Sequence, residues 1–257
     1  MKHLKAAEHL FHAKNLNKPA EDYPDELMPK SLNDAYNIQK EFLSLLALDT
    51  IGWKIGCTTK MAQKFSGINE PFYGRLLKKT TYDTPKNLKI ENFNIPIIEP
   101  ELCFKIGSTF TAAESPFDKN DTLEKIENIC PAIEIVDARY KKGWKIKALE
   151  SIANNGVHAA IILGKQNDNW KSYDRIEGLM HLNINNKKAF KGKGGNVLSD
   201  PINAITWLAN TLSKQGLELT KGDIVTTGNV CDKVVYPKKN DSIEVIFKNL
   251  GNVMVNF

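Results

Sequence analysis

The spacing of apolar residues changes near Ile51, and this change limits the fold more than any other feature of the 257-residue chain. Before it, Leu4, Ala7, Leu10 and Phe11 recur at helical intervals. After a proline-rich break, "NKPAEDYPDELMPK", Ser31 opens a second helix with Asp34 three residues on, a variant of the capping box. Leu32, Ala35, Tyr36, Gln39, Phe42, Leu43 and Leu46 then form one broad stripe. From Ile51 the period is two. "TIGWKIG" alternates Ile51, Trp53 and Ile55 with Gly52, Lys54 and Gly56. "PAIEIVDARY" and "GVHAAIILG" are short β-branched runs bounded by turn residues, and "DSIEVIFKNLGNVMVNF" reads as a terminal hairpin. One later helix is expected in "SDPINAITWLANTLSKQG", with Asp200 as N-cap, Pro201 at the first position and Gly216 as the stop. No internal repeat or low-complexity segment interrupts the pattern. The expectation is an α+β chain: a helical N-terminal lobe over residues 1–50 and a β-rich domain over 51–257.

Composition narrows the functional classes. With 42% hydrophobic and 25% charged residues the chain can bury a sizeable core. The formal charge of +5 is mild, and the lysine clusters "KNLKI" and "YPKKND" lack interleaved aromatics. They read as solvated faces, so no nucleic-acid partner is expected. A weakly positive field favours a small anionic substrate. Cys57, Cys103, Cys130 and Cys231 form no CxxC and no zinc spacing, which suits free thiols in a reducing cytosol. The charged N-terminus has no signal-peptide core, and no apolar run reaches the ~20 residues of a membrane helix. A cytoplasmic location with no membrane partner is expected.

The chemistry concentrates in "IIEPELCFKIG", where Glu99 and Glu101 interrupt an apolar run. Residues two apart in a strand share a face, roughly 6–7 Å apart along the backbone. Two readings compete. Pro96 and Pro100 suit an edge strand with both acids in water. Alternatively the acids are buried, where their repulsion calls for a cation. Glu134, flanked by Ile133 and Ile135, supplies a third acid, unless it faces solvent or pairs with an arginine. Three carboxylates would make a hard oxygen site of the kind Mg²⁺ uses. Lys54 lies between Gly52 and Gly56, which leave room for a ligand beside it. It is either an exposed strand lysine or a partner for a substrate carboxylate or proton.

The segments "LNDAYNIQ", "GWKIGCTTK", "EPFYGRLL", "EPELCFKIG", "PAIEIVDARY", "DPINAITWLANTL" and "KGDIVTTG" occur in the order of the 2-keto-4-pentenoate hydratase and 4-oxalocrotonate decarboxylase family, part of the fumarylacetoacetate hydrolase superfamily. Each segment is weak alone; the seven together resemble that family from about residue 30 to the C-terminus. The resemblance implies a mixed β-roll of the superfamily's C-terminal type. It implies Mg²⁺ or Mn²⁺ held by Glu99, Glu101 and Glu134, with Lys54 as the catalytic residue. It further implies a 2-oxo acid that chelates the metal, whose Lewis acidity stabilises an enolate. A homo-oligomer is expected.

Two positions depart from the family pattern. Where its hydratases carry an acid before an aromatic-Gly pair, this chain has Phe72 in "PFYG", which is more like the decarboxylases. Where the family shows "DNAS", this chain has "NNGV": Asn154 replaces the Asp and Val157 the Ser, while Asn155 is retained. Phe72, Asn155 and His158 are the candidate substrate-binding residues, although His158 also fits a satisfied core position. The leading expectation is a hydratase-type lyase. The alternatives are a 4-oxalocrotonate-type decarboxylase, an acylpyruvate-type hydrolase and a noncatalytic partner subunit.

Overall fold

The computed structural model describes residues 1–16 and 18–257; Asn17, the first residue of the proline-rich break, lies outside them. In chain order the elements are α1 (Lys2–Lys14), α2 (Leu32–Leu46), β1 (Thr50–Gly56), α3 (Lys60–Ser66), β2 (Phe72–Leu77), β3 (Thr81–Asp83), β4 (Lys86–Asn87), β5 (Pro96–Ile106) and α4 (Lys119–Glu124). They continue with β6 (Ile126–Asp137), α5 (Ala148–Ala153), β7 (His158–Leu163), β8 (Leu179–Ile184), β9 (Lys187–Lys193), α6 (Pro201–Lys214), β10 (Ile224–Thr226), β11 (Ser242–Phe247) and β12 (Gly251–Asn256). Seven strands form a mixed sheet in the order β2-β1-β10-β5-β6-β7-β3, and five form a second in the order β4-β12-β11-β8-β9.

The helix signals act as the sequence suggests. The Ser31 hydroxyl accepts from Asp34 N, and the Asp34 carboxylate reaches back to Lys30 N rather than to the cap residue. Asp200 caps α6 by accepting from Ile202 N at 3.0 Å, with Pro201 in the first turn. Gln39 sits in the apolar stripe of α2 because its amide is consumed there: it donates to the carbonyls of Tyr73 and Ile152, tying α2 to β2 and α5. α1, α2 and α5 share a small core with Phe72 and Tyr140. No described helix is long and apolar enough to cross a membrane.

The larger core lies between the two sheets. It takes Ile98, Leu102, Phe104, Ile133 and Ile135 from β5 and β6, Val245 and Phe247 from β11, and Ile205 and Leu208 from α6. The other face of the seven-stranded sheet is the site face.

The edge-strand reading of Glu99 and Glu101 does not hold. β5 is an interior strand, paired along its length to β6 and, at residues 103–105, to β10. Pro100 is tolerated because β10 is only three residues long and ends before reaching it.

Candidate metal and active site

The long antiparallel pair β5/β6 assembles the acids. Glu99 is the direct partner of Glu134, and Glu101 is opposite Ala132. Directly opposed and diagonal residues of such a pair share a face. All three side chains therefore meet, and one carboxylate oxygen from each lies within 4.8 Å of the others. Glu101 and Glu134 are fully buried, while Glu99 is partly exposed at the mouth.

Lys54 arrives from β1, two strands away, and is 2% exposed, so it is not the surface lysine its strand pattern allows. Its ammonium lies 3.3 Å from Glu134 Oε2 and donates to the Gly156 carbonyl at 3.1 Å. Gly156 belongs to a turn of three residues with positive φ, Asn155, Gly156 and Val157, between α5 and β7. A Cβ at Gly156 would stand 2.9 Å from Lys54 Cδ and 3.2 Å from the Phe72 ring, so only glycine leaves room for the lysine there.

The remaining candidates fall into two groups. Phe72 is 6% exposed, with its ring centroid 5.7 Å from Lys54 Nζ, and it packs beside the lysine. Asn155 and His158 are instead occupied by the protein. The Asn155 amide accepts from Arg75 N and donates to Arg75 O, clamping β2. His158 Nδ1 is 2.8 Å from Glu134 Oε1, and its Nε2 is 3.3 Å from the Thr80 hydroxyl. With both ring nitrogens engaged, His158 acts on Glu134 rather than reaching into the pocket. Asn154 receives the Arg139 guanidinium, which also donates to the His158 carbonyl.

Two contributors were missed in the sequence. The Gly228 amide donates to Glu101 Oε2 at 2.8 Å. A Cβ at Gly228 would fall 2.0 Å from the Thr58 hydroxyl, and its φ of +107 is one that side chains rarely adopt. Thr226 is the register partner of Lys54 on one side and Cys103 on the other, and its buried hydroxyl has no partner. Both lie in "KGDIVTTG", where a Gly at a strand end beside two threonines was the available signal.

The electrostatics are unbalanced. Burial pushes the Glu99 carboxyl up to about 7, against the pull of Lys54 and reinforced by Glu134. Burial, then Glu134 and Glu99, push Glu101 well above the usual range. Burial also acts upward on Glu134, but Lys54 and His158 outweigh it and hold this carboxyl below its ordinary value. Burial keeps His158 low despite Glu134, so the ring is neutral near pH 7. One ammonium thus faces three carboxylates. Glu101 Oε1 is buried without a hydrogen-bond partner, and Glu134 Oε2 has only the Lys54 ammonium, 3.3 Å away, a state that costs energy in the free protein. Under-satisfied hard oxygens, convergent and in excess of local positive charge, fit a divalent cation.

Three carboxylates, two of them fully buried, with one buried lysine on the face of the mixed sheet turned away from the second sheet, define a class of hard-metal site. Residues 80–256 match the family model for the fumarylacetoacetate hydrolase C-terminal domain, and the chain belongs to that family. The match begins after Lys54 and Phe72, which come from the preceding strands. The chain is 28% identical over 255 residues to a 2-keto-4-pentenoate hydratase of Paraburkholderia xenovorans, covering 98% of this chain and 93% of that protein. It is 29% identical over 246 residues to a 2-oxo-hept-4-ene-1,7-dioate hydratase of Escherichia coli, covering 92% and 89%. Among solved structures, a 4-oxalocrotonate decarboxylase from Pseudomonas putida G7, in complex with magnesium and adipate, superposes with a TM-score of 0.92 at 22% identity, covering 99% of this chain and 97% of that one. The fold is of the fumarylacetoacetate hydrolase type, with mixed helices and sheets.

Proposed function

We propose that the chain is a divalent-metal-dependent lyase acting on a small 2-oxo acid, of the 2-keto-4-pentenoate hydratase type. The observation that carries this reading is the convergence of Glu99, Glu101 and Glu134 beside a buried Lys54. The names of the relatives agree: they are hydratases and a decarboxylase, enzymes of lyase type. Glu99, Glu101 and Glu134 would hold Mg²⁺ or Mn²⁺. A bound cation supplies Lewis-acid polarisation of the substrate's carboxylate and keto oxygens.

The chain's own groups do the rest. The Lys54 ammonium, oriented by the Gly156 carbonyl, is placed to meet a substrate carboxylate or to carry the proton moved at C3. His158 donates through Nδ1 to Glu134, fixing that carboxylate's orientation, and so acts as a positioning residue. Gly228 does the same for Glu101. The Thr226 hydroxyl is a free donor in the row of Lys54. Residues 1–50 are taken as a helical lobe on a β-roll domain spanning 51–257, and the protein as a cytoplasmic homo-oligomer. Four free cysteines suit that compartment.

One observation favours the decarboxylase as a second reading. The wall beside Lys54 is the Phe72 ring, and an aromatic ring neither holds nor deprotonates water. The test is incubation with Mg²⁺ or Mn²⁺ and a panel of 2-oxo acids, read by mass spectrometry. Gain of one water supports the hydratase, and loss of carbon dioxide supports the decarboxylase. Cleavage into two acids would point to an acylpyruvate-type hydrolase. Inertness toward the whole panel, with no metal bound, would leave the noncatalytic-partner reading standing.

A further inference from the structure

The site face of the seven-stranded sheet carries a second cluster of ligating atoms, beside the carboxylates. Cys103 on β5 and Cys130 on β6 are direct register partners. Their side chains share a face and enter one small apolar patch with Leu76, Ala132, Ile161 and Ile224. They are 2% and 4% exposed, yet both line a recess of about 350 Å³ bounded also by Leu163, Lys165 and Asn128. Neither is in a disulfide.

Two thiols at the floor of a recess can bond to each other or to something between them, and strand geometry decides. Directly opposed residues hold their Cβ atoms about 4.5–5.5 Å apart. A disulfide wants a mean of about 3.8 Å. A direct bond would therefore draw two interior strands together, whereas a single interposed atom bonded to both sulfurs spans the gap without moving the backbone. Sulfur ligands select soft, polarisable centres and leave Mg²⁺ to the carboxylates.

We propose that Cys103 and Cys130 form a chelating dithiol site for a soft, thiophilic centre with two open positions, of which a trivalent arsenical is the representative. With an organoarsenic oxide the step balances. Two As–S bonds form, the As–O double bond is broken, and the two thiol protons leave with the oxygen as one water. Arsenic stays trivalent, so no oxidant or reductant is consumed. The recess above the sulfurs houses the organic substituent. Cys103 is two residues from Glu101 on the same face, so one strand carries a soft site and a hard site side by side.

The test is native intact-mass analysis of the full chain with phenylarsine oxide, without reductant. The expected result is one adduct per chain, of the reagent's mass less one water, in the wild type. The adduct is retained in Cys57→Ala and Cys231→Ala and lost in Cys103→Ala and in Cys130→Ala. Because a core cysteine variant can fold poorly, the wild-type adduct is also digested without reduction; arsenic should join the peptide containing Cys103 to the peptide containing Cys130. Absence of an adduct on the native wild type overturns the proposal, as does a bridge that includes Cys57 or Cys231. None of these readouts uses turnover, so they stand or fall apart from the lyase reading.

Discussion

Strands β5 and β6 send alternate residues to two buried faces that are chemical opposites. Toward the second sheet go Ile98, Leu102, Phe104, Ile133 and Ile135, each 0% exposed. Toward the site go Glu101 and Glu134, also 0% exposed, with Glu99 at the mouth. The same two strands, with the same hydrogen bonds, thus serve a face that holds the fold together and a face that works against it. On the first, burial removes apolar area from water, worth about 25 cal/mol per Å². On the second, burial leaves carboxylate oxygens under-satisfied, Glu101 Oε1 with no partner at all. Depth in the structure does not distinguish core from site; the chemistry of alternate residues does. The comparison makes a signed prediction for each face.

The largest effect is expected at Glu101. Glu101→Gln removes a ligand of the proposed metal site and should lower turnover about 10³-fold or more, the equivalent of several kcal/mol of charge stabilisation. Calorimetric titration with Mn²⁺ should show the matching loss of affinity. In the metal-free protein the melting temperature should hold near pH 7, where the raised Glu101 carboxyl is already neutral and the amide is its uncharged isostere, and should exceed the wild type's only at higher pH, where Glu101 is forced to ionise. A fall in melting temperature would place Glu101 with the stabilising face. Lys54→Met should cut turnover at least about 10²-fold. Here the metal-free protein should lose stability, by about 3–5 kcal/mol, because Glu134 is left as an uncompensated buried charge. The unequal stability effects at Glu101 and Lys54 separate a carboxyl the free protein keeps neutral from an ammonium it needs, and calorimetry in chelator reads both.

On the apolar face, Phe247→Ala should cost about 3–5 kcal/mol of unfolding free energy through the cavity it leaves. Phe247 is 1% exposed and belongs to the inter-sheet core. Its Mn²⁺ affinity, measured well below the melting temperature, should match the wild type. If affinity falls with stability, the two faces are coupled and the contrast drawn between them is too sharp. A smaller effect is expected one shell out from the acids. His158→Asn should weaken metal binding about 10–100-fold without abolishing it, since Glu134 keeps Lys54 but loses the donor that orients it.

The contrast also shows what could be read in the sequence. Period-two alternation was visible throughout, and it placed Glu99 and Glu101 on one face. It left open whether that face met water, because Pro100 reads as an edge residue unless the shortness of β10 is known. The direct pairing of Glu99 with Glu134 is a register fact, set by strands joined through the loop and helix of residues 107–125, and no local pattern encodes it. The helix caps at Ser31 and Asp200 were legible because their chemistry is local. His158 was ambiguous for the opposite reason: its two partners, Thr80 and Glu134, come from distant segments, so nothing nearby told a substrate ligand from a satisfied core residue. Thr226 and Gly228 act at the end of a three-residue strand, too short to announce itself as an element.

The smallest effect, and the one that bears on reaction type, concerns Phe72. Its ring fills the space beside Gly56 and Gly156 and lies 5.7 Å from the Lys54 ammonium. It excludes water from the side of the pocket where an acid would hold it, and a drier pocket strengthens every charge within it. Hydration of 2-hydroxypenta-2,4-dienoate by the native protein should therefore be slow. Phe72→Asp opens room for a water and supplies a group to orient it. The gain is held to about tenfold or less, because the new carboxylate lacks a shell to fix its rotamer and stands near three others. The measurement is the initial hydration rate of both proteins at saturating Mg²⁺, with decarboxylation of a 2-oxo dicarboxylate followed in parallel. Rising hydration with falling decarboxylation would make the Phe72 ring the element that chooses between the two reactions. Fast hydration by the native protein, unchanged or reduced in the variant, would mean that another group handles the water, with the unpartnered Thr226 hydroxyl the first to replace by valine.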